Sequence, residues 1–146
     1  MLQSVFLLCL GLSFSATAYN YNYSTHVNLD GKDILVYFND GDTFQFQTNN
    51  QKSSARLQGF NALESYGPVH QWGTWTREEL YENAKAATEN ARAGSWHCHT
   101  AGPRDTYGRS IIDCPDLAQD QIRKGLAHAM FVDKADYNQK LIDLQA

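Results

Sequence analysis

Asp40 and Asp42 sit either side of Gly41, with Thr43 directly after them. Carboxylate oxygens placed this closely suit a hard divalent cation, which also accepts amide and backbone carbonyl oxygens. The plainer use of Asp40-Gly41 is a tight turn between two strands. Further along, "ARLQGFNALES" carries Arg56 in a strand-like run, with Asn61 and Glu64 just past its end, and "DTYGRS" puts Arg109 in a second turn. A guanidinium fork grips two oxygens of an anion at once, which an ammonium does not. A carboxylate within reach of a water can act as a general base, typically worth about 10²–10⁴-fold. Taken singly, Glu64 reads as a solvated loop carboxylate, and Arg56 and Arg109 as surface ion-pair partners. Taken together, they could gather one cation, one water-holding acid and two cationic forks around one oxyanion.

The elements that must position these residues are legible as a change of period. In "DILVYF", Ile34, Val36 and Phe38 fall on one face, with Leu35 and Tyr37 on the other. "TFQFQ" alternates Phe44 and Phe46 against Thr43, Gln45 and Gln47, and "ARLQGF" follows as a third strand, making residues 33–60 a meander. Tyr66 to Trp75 is a loop broken by Gly67, Pro68 and Gly73. Thr76 and Glu79 then form a capping-box pattern, and Leu80, Ala84, Ala87 and Ala91 recur at helical spacing. Glu78, Glu82, Lys85, Glu89 and Arg92 form the opposite, solvated face, and Gly94 is a helix stop.

"SWHCH" and "SIIDC" read as fourth and fifth strands around a long turn, and their pairing would bring Cys98 near Cys114. Pro115 suits the first turn of a second helix, with Ala118, Ile122, Leu126 and Ala129 as its apolar stripe. Gly125 lies inside that helix pattern, where it would permit close packing against a neighbour. "DYNQKLIDLQA" predicts a third helix. The order βββ-α-ββ-α-α implies an α+β fold: a five-stranded Greek-key barrel of the oligonucleotide/oligosaccharide-binding (OB) type, with three helices.

A chain of 146 residues, 42% hydrophobic and 19% charged, is enough for one globular domain with a real core. Residues 1–18 carry no charge, and the apolar run from Val5 to Phe14 is too short to span a bilayer. The run ends in Ala16-Thr17-Ala18, a pattern suited to signal peptidase, although no Lys or Arg lies near Met1. The expectation is a cleaved signal over 1–18, a loosely held lead-in over 19–32 and a folded domain over 33–146. The product would be periplasmic or secreted, monomeric, and without stable membrane association after cleavage.

Cleavage leaves Cys98 and Cys114, which would form one disulfide or remain two buried thiols. Closing that loop would contribute about 3 kcal/mol in the chain-entropy model. His97 and His99 would face away from Cys98 on a strand, which argues for a surface pair rather than a zinc site. A net charge of −4 and a pI of about 5.6 disfavour tight stand-alone nucleic-acid binding. They leave room for an enzyme with a few well-placed cations.

Five motifs occur in order and with compatible spacing: Asp40-Gly41-Asp42-Thr43; "RLQGFNALE" from Arg56 to Glu64; Tyr66-Gly67; Asp105 to Arg109 as "DTYGR"; and "RKGLA" from Arg123 to Ala127. This set resembles the staphylococcal nuclease family, over about residues 33–142. The resemblance implies an OB-type barrel and calcium-dependent cleavage of phosphodiester bonds in DNA and RNA. By position it implies Asp42 as the metal carboxylate, Asp40 as a supporting charge beside it, and the carbonyl of Ala62 as a backbone ligand. Asn61 falls where a second metal-binding Asp is common. Glu64 would hold or deprotonate the attacking water, Arg56 and Arg109 would grip the phosphate, and Tyr107 would lie beside the nucleotide.

Three departures accompany the match. Asn61 supplies an oxygen without charge, Leu63 replaces a common Pro, and Phe131 stands where a substrate-contacting Tyr is expected. Phe131 can still stack on a base. Asn61, Phe131 and the acidic pI support an alternative: a catalytically weak or idle barrel that binds nucleic acid or a protein partner.

Overall fold

The computed structural model describes residues 22–64, 74–130 and 143. The signal expected over 1–18, the Tyr66-Gly67 motif, Phe131, and all of the expected third helix except Asp143 lie outside the described residues.

Eight strands and two helices are described: β1 (Thr25–Leu29), β2 (Lys32–Phe38), β3 (Thr43–Thr48), β4 (Gln51–Leu57), β5 (Phe60–Ala62), α1 (Arg77–Ala93), β6 (Ser95–Thr100), β7 (Ser110–Asp113), α2 (Pro115–Arg123) and β8 (Ala127–Ala129). Six of them close an OB-like barrel in the order β1-β2-β3-β4-β7-β6, and β5 pairs with β8 as a small separate sheet. Closure comes from two parallel pairings, β1 with β6 and β4 with β7, while the meander β2-β3-β4 is antiparallel as expected. The fold is α+β, but its barrel has six strands rather than five.

Two expectations are corrected. The segment read as a loose lead-in contains β1, whose Thr25 and Val27 are buried against the barrel. The second helix ends at Arg123, and the residues expected to continue it form β8. Gly125 is the reason: it has φ +68°, and a Cβ there would meet nothing within 4 Å. Its N–H donates to the carbonyl of Ile122 while that of Leu126 reaches back to Gln121, which is a Schellman termination. Gly125 therefore supplies backbone conformation, not close packing.

The core fills the barrel with Val27, Val36, Phe38, Phe44, Ala55, Leu57 and Ile112, all fully buried. Phe38, Phe44 and Phe46 meet edge to face at 5.3 and 5.8 Å between centroids, an arrangement worth about 0.5–1.5 kcal/mol per pair beyond area burial. Helix α1 begins as its sequence dictates: Thr76 accepts from Glu79 N–H while the Glu79 carboxylate accepts from Thr76 N–H. Leu80, Ala84, Ala87 and Ala91 are its buried stripe. Arg92, expected on the solvated face, donates twice to the carbonyl of Phe38, at 2.6 and 3.1 Å, and so ties α1 to the end of β2.

Cys98 and Cys114 are joined by a disulfide, with sulfurs 2.02 Å apart, linking β6 to the start of α2. His97 and His99 lie outside it, facing Asp116 at 3.2 Å and Asp113 at 3.4 Å. No helix among the described residues is long and apolar enough to cross a membrane.

Candidate active site

The loop between β2 and β3, residues 39–42, is folded inward. Gly41 is buried, and a Cβ on it would come within 2.7 Å of Ala62 Cβ and 2.9 Å of Ala87 Cβ. The glycine of this turn is thus needed for close approach to β5 and α1, not for a left-handed conformation. Gln121 of α2, fully buried, fastens the loop from below by donating to the carbonyls of Ala87 at 2.8 Å and Gly41 at 3.4 Å. Asp40 Oδ1 accepts the N–H of Asp42 at 3.0 Å, so the first carboxylate shapes the turn that carries the second.

Asp42 is 1% exposed, and its carboxylate reaches other elements as well as its own neighbour. Oδ2 accepts from the N–H of Ala62 at 2.6 Å, Oδ1 accepts from the hydroxyl of Thr43 at 3.1 Å, and Oδ1 also pairs with Nη1 of Arg56. Register explains the pairing. Thr43 on β3 stands opposite Arg56 on β4, which stands beside Ile111 on β7, two residues after Arg109. The second nitrogen of the Arg56 fork, Nη2, donates to Asn61 Oδ1 at 2.5 Å. Asn61 itself lies on β5, opposite His128 on β8.

Arg56 is therefore the hub of the rim. Burial lowers its pKa; Asp40 counteracts that, Arg109 adds to it, and Glu64 and Asp105 oppose it. Those four charged groups lie near enough for their fields to act on one guanidinium. The arrangement brings together Asp40, Asp42, Arg56, Asn61, Ala62, Glu64 and Arg109, all the site residues expected from the sequence within the described part of the rim. Tyr107 is 83% exposed, with the Arg109 guanidinium 5.4 Å from its ring centroid.

Arg109 is held by its own turn. Asp105 Oδ2 accepts from Arg109 Nε at 2.7 Å, and Asp105 Oδ1 accepts the N–H groups of Tyr107 and Arg109, both at 2.9 Å. Partial burial pushes the Asp105 carboxyl up, and the bonds from Arg109 and Tyr107 more than reverse this, leaving its pKa below the ordinary range. The motif Asp105 to Arg109 contains this carboxylate without implying a role for it. Its position four residues before Arg109 was the available signal. His128 was not singled out at all. Burial, with the Arg56 charge added, lowers its pKa.

A cation would find hard oxygens here: the Asp42 carboxylate, the Asn61 amide and the Ala62 carbonyl, with Asp40 adding negative charge nearby. Among the described residues no three His, Cys, Asp or Glu side chains gather into a metal cluster, so amide and carbonyl oxygens would be needed to complete a coordination set. The set fits a hard cation in one further respect: the oxygens of Asp42 and Asn61 already converge on a positive group, the Arg56 fork. No protein-family model and no curated protein matches the chain.

Proposed function

We propose that the chain is an exported nuclease that hydrolyses phosphodiester bonds of DNA and RNA with calcium, the reading its motifs imply. The observation that carries it is that the Arg56 fork holds Asp42 and Asn61 while the charges of Asp40, Glu64 and Arg109 also act on it, from three separate stretches of sequence. Surface ion pairs chosen independently would not meet at one barrel rim.

In this reading, Arg56 and Arg109 each offer a planar fork to the phosphate oxygens, on which negative charge grows during attack. Glu64, exposed at the end of β5, takes the proton of a water that attacks phosphorus in line. The bond from the water oxygen to phosphorus forms, the bond to the departing ester oxygen breaks, and that oxygen takes a proton from solvent. Tyr107 offers an exposed ring on which a base can stack. Bound calcium would be held by Asp42, Asn61 and the Ala62 carbonyl, and would supply positive charge beside the phosphate.

Digestion of denatured DNA and of RNA by the purified chain, with calcium or with EDTA, tests this. Cleavage is expected only with calcium. Glu64→Gln should lower the rate by about 10²–10⁴-fold while the urea midpoint stays at the wild-type value. A Glu64→Gln protein that cleaves at full rate would refute the mechanism. A second reading, an idle barrel that only binds, draws on the internal contacts already made by Asp42 and Asn61. It requires retention of single-stranded DNA with no cleavage under any divalent cation.

A further inference from the structure

We propose that Arg56 and a divalent cation are alternative occupants of the same oxygens, so that binding of the cation frees the Arg56 fork. The phosphate toward which the fork would then turn rests on the nuclease reading; the exchange itself does not.

The geometry is specific. One fork nitrogen pairs with Asp42 Oδ1 and the other donates to Asn61 Oδ1 at 2.5 Å. These are the two side chains whose oxygens would hold the cation. The remaining Asp42 oxygen already accepts Ala62 N–H at 2.6 Å, so a cation placed while Arg56 stays would have one shared carboxylate oxygen and neither of the two that the fork holds. A buried carboxylate needs a positive partner, because leaving its charge uncompensated is strongly unfavourable. Arg56 meets that need in this structure, and a divalent cation would meet it equally. Two positive groups cannot share the gap between these oxygens, since they would repel at contact distance.

Asn61 sharpens the exclusion. An amide adds an oxygen but no charge, so the two side chains that the fork touches carry one negative charge between them, with Asp40 adding to it from the same turn. The fork also has somewhere to go. The Arg56 side chain is 20% exposed, and the charges of Glu64, which is exposed, and of Asp105 both attract it. In its present position the fork is committed to Asp42 and Asn61; once displaced, its nitrogens can face an oxyanion. The cation would then contribute by releasing a group of the protein as well as by its own charge.

The consequence runs against the usual effect of removing a residue from a binding site. Apparent affinity is divided by the fraction of molecules in which the site is open. Arg56→Ala should therefore bind calcium at least about tenfold more tightly than the wild type, read by calorimetric titration. Because that substitution strands the buried Asp42 carboxylate in the apo protein, a second variant is needed: Arg56→Gln, which keeps a donor amide without charge, should show the same direction. In the wild type, the Arg56 Nε–H resonance, assigned by its loss in the variants, should shift as calcium saturates. Variants that bind calcium no tighter than the wild type would overturn the exchange, as would an Arg56 resonance that stays fixed at saturation. Loss of the nuclease reading looks different: calcium would displace Arg56 as described, yet no nucleic acid would be cut.

Discussion

Arg56 is held from across the barrel, whereas Arg109 is held from within its own turn. The partners of Arg56, Asp42 and Asn61, are 14 residues before it and 5 after it, and the first of them reaches it only through the register of β3 on β4. Arg109 needs only Asp105, four residues earlier, whose carboxylate gathers two N–H groups and the guanidinium together. The first arrangement centres on a fully buried carboxylate and depends on the whole fold. The second is partly buried but local to one turn, and would survive change elsewhere. The difference teaches that the same functional group can be positioned either by packing or by a turn, and that the two should fail differently.

Asp42→Ala should break the buried arrangement most severely. It strands the Arg56 guanidinium and the N–H of Ala62 at once. Removing one member of a buried ion pair costs about 3–5 kcal/mol, so the urea midpoint should fall steeply and activity should vanish with it. If Asp42→Ala unfolds at the wild-type midpoint, the pair contributes nothing to stability and the contrast with Arg109 collapses.

The same division marks what the sequence could and could not reveal. Local devices were legible: the capping box at Thr76 and Glu79, the apolar stripe of α1, Pro115 at the start of α2, and the alternation of β2 and β3. Non-local ones were not. Thr25, Val27 and Leu29 do alternate, and Asp30-Gly31 turns this strand onto β2, a local signal; what stayed hidden is its parallel pairing to β6, some seventy positions away, as His26 with Ser95 shows. Leu126 and Ala129 fit a helical stripe as well as a short strand, and only the left-handed backbone of Gly125 decides between them. The site residues were read from their types and order. What could not be read was that Arg56 would occupy the oxygens of Asp42 and Asn61, because that depends on the register of β3 on β4 and on the inward fold of the 39–42 loop.

Asp105→Ala should show the milder failure. The turn loses the acceptor that orients Arg109, yet Asp105 N–H and Arg109 carbonyl still pair at 2.9 Å. A nuclease rate about tenfold lower, with the melting temperature close to that of the wild type, is the expected result. Asp105→Asn keeps an acceptor for the backbone and should recover part of the rate. An Asp105→Ala protein as crippled in folding as Asp42→Ala would mean that the turn is not locally held.

The smallest effect sharpens the comparison through pH. His128 lies on β8 opposite Asn61, in the buried half of the rim, and burial together with Arg56 lowers its pKa below the ordinary value of about 6.5. In the folded protein it therefore resists protonation, while in the unfolded chain it protonates near its ordinary value. The unfolded state binds more protons over that window, so stability falls as pH drops from about 6.5 toward the lowered pKa, and the loss is complete below it. Asp113, raised by burial with His99 opposing, acts in the opposite sense at lower pH. Comparing wild type with His128→Gln separates the two, since only the first window changes. Melting temperatures measured from pH 7 down to pH 5 should fall more in the wild type, by no more than about 2 °C because the ring is only half-buried. Parallel curves for the two proteins would place the His128 ring in contact with water, outside the influence of Arg56.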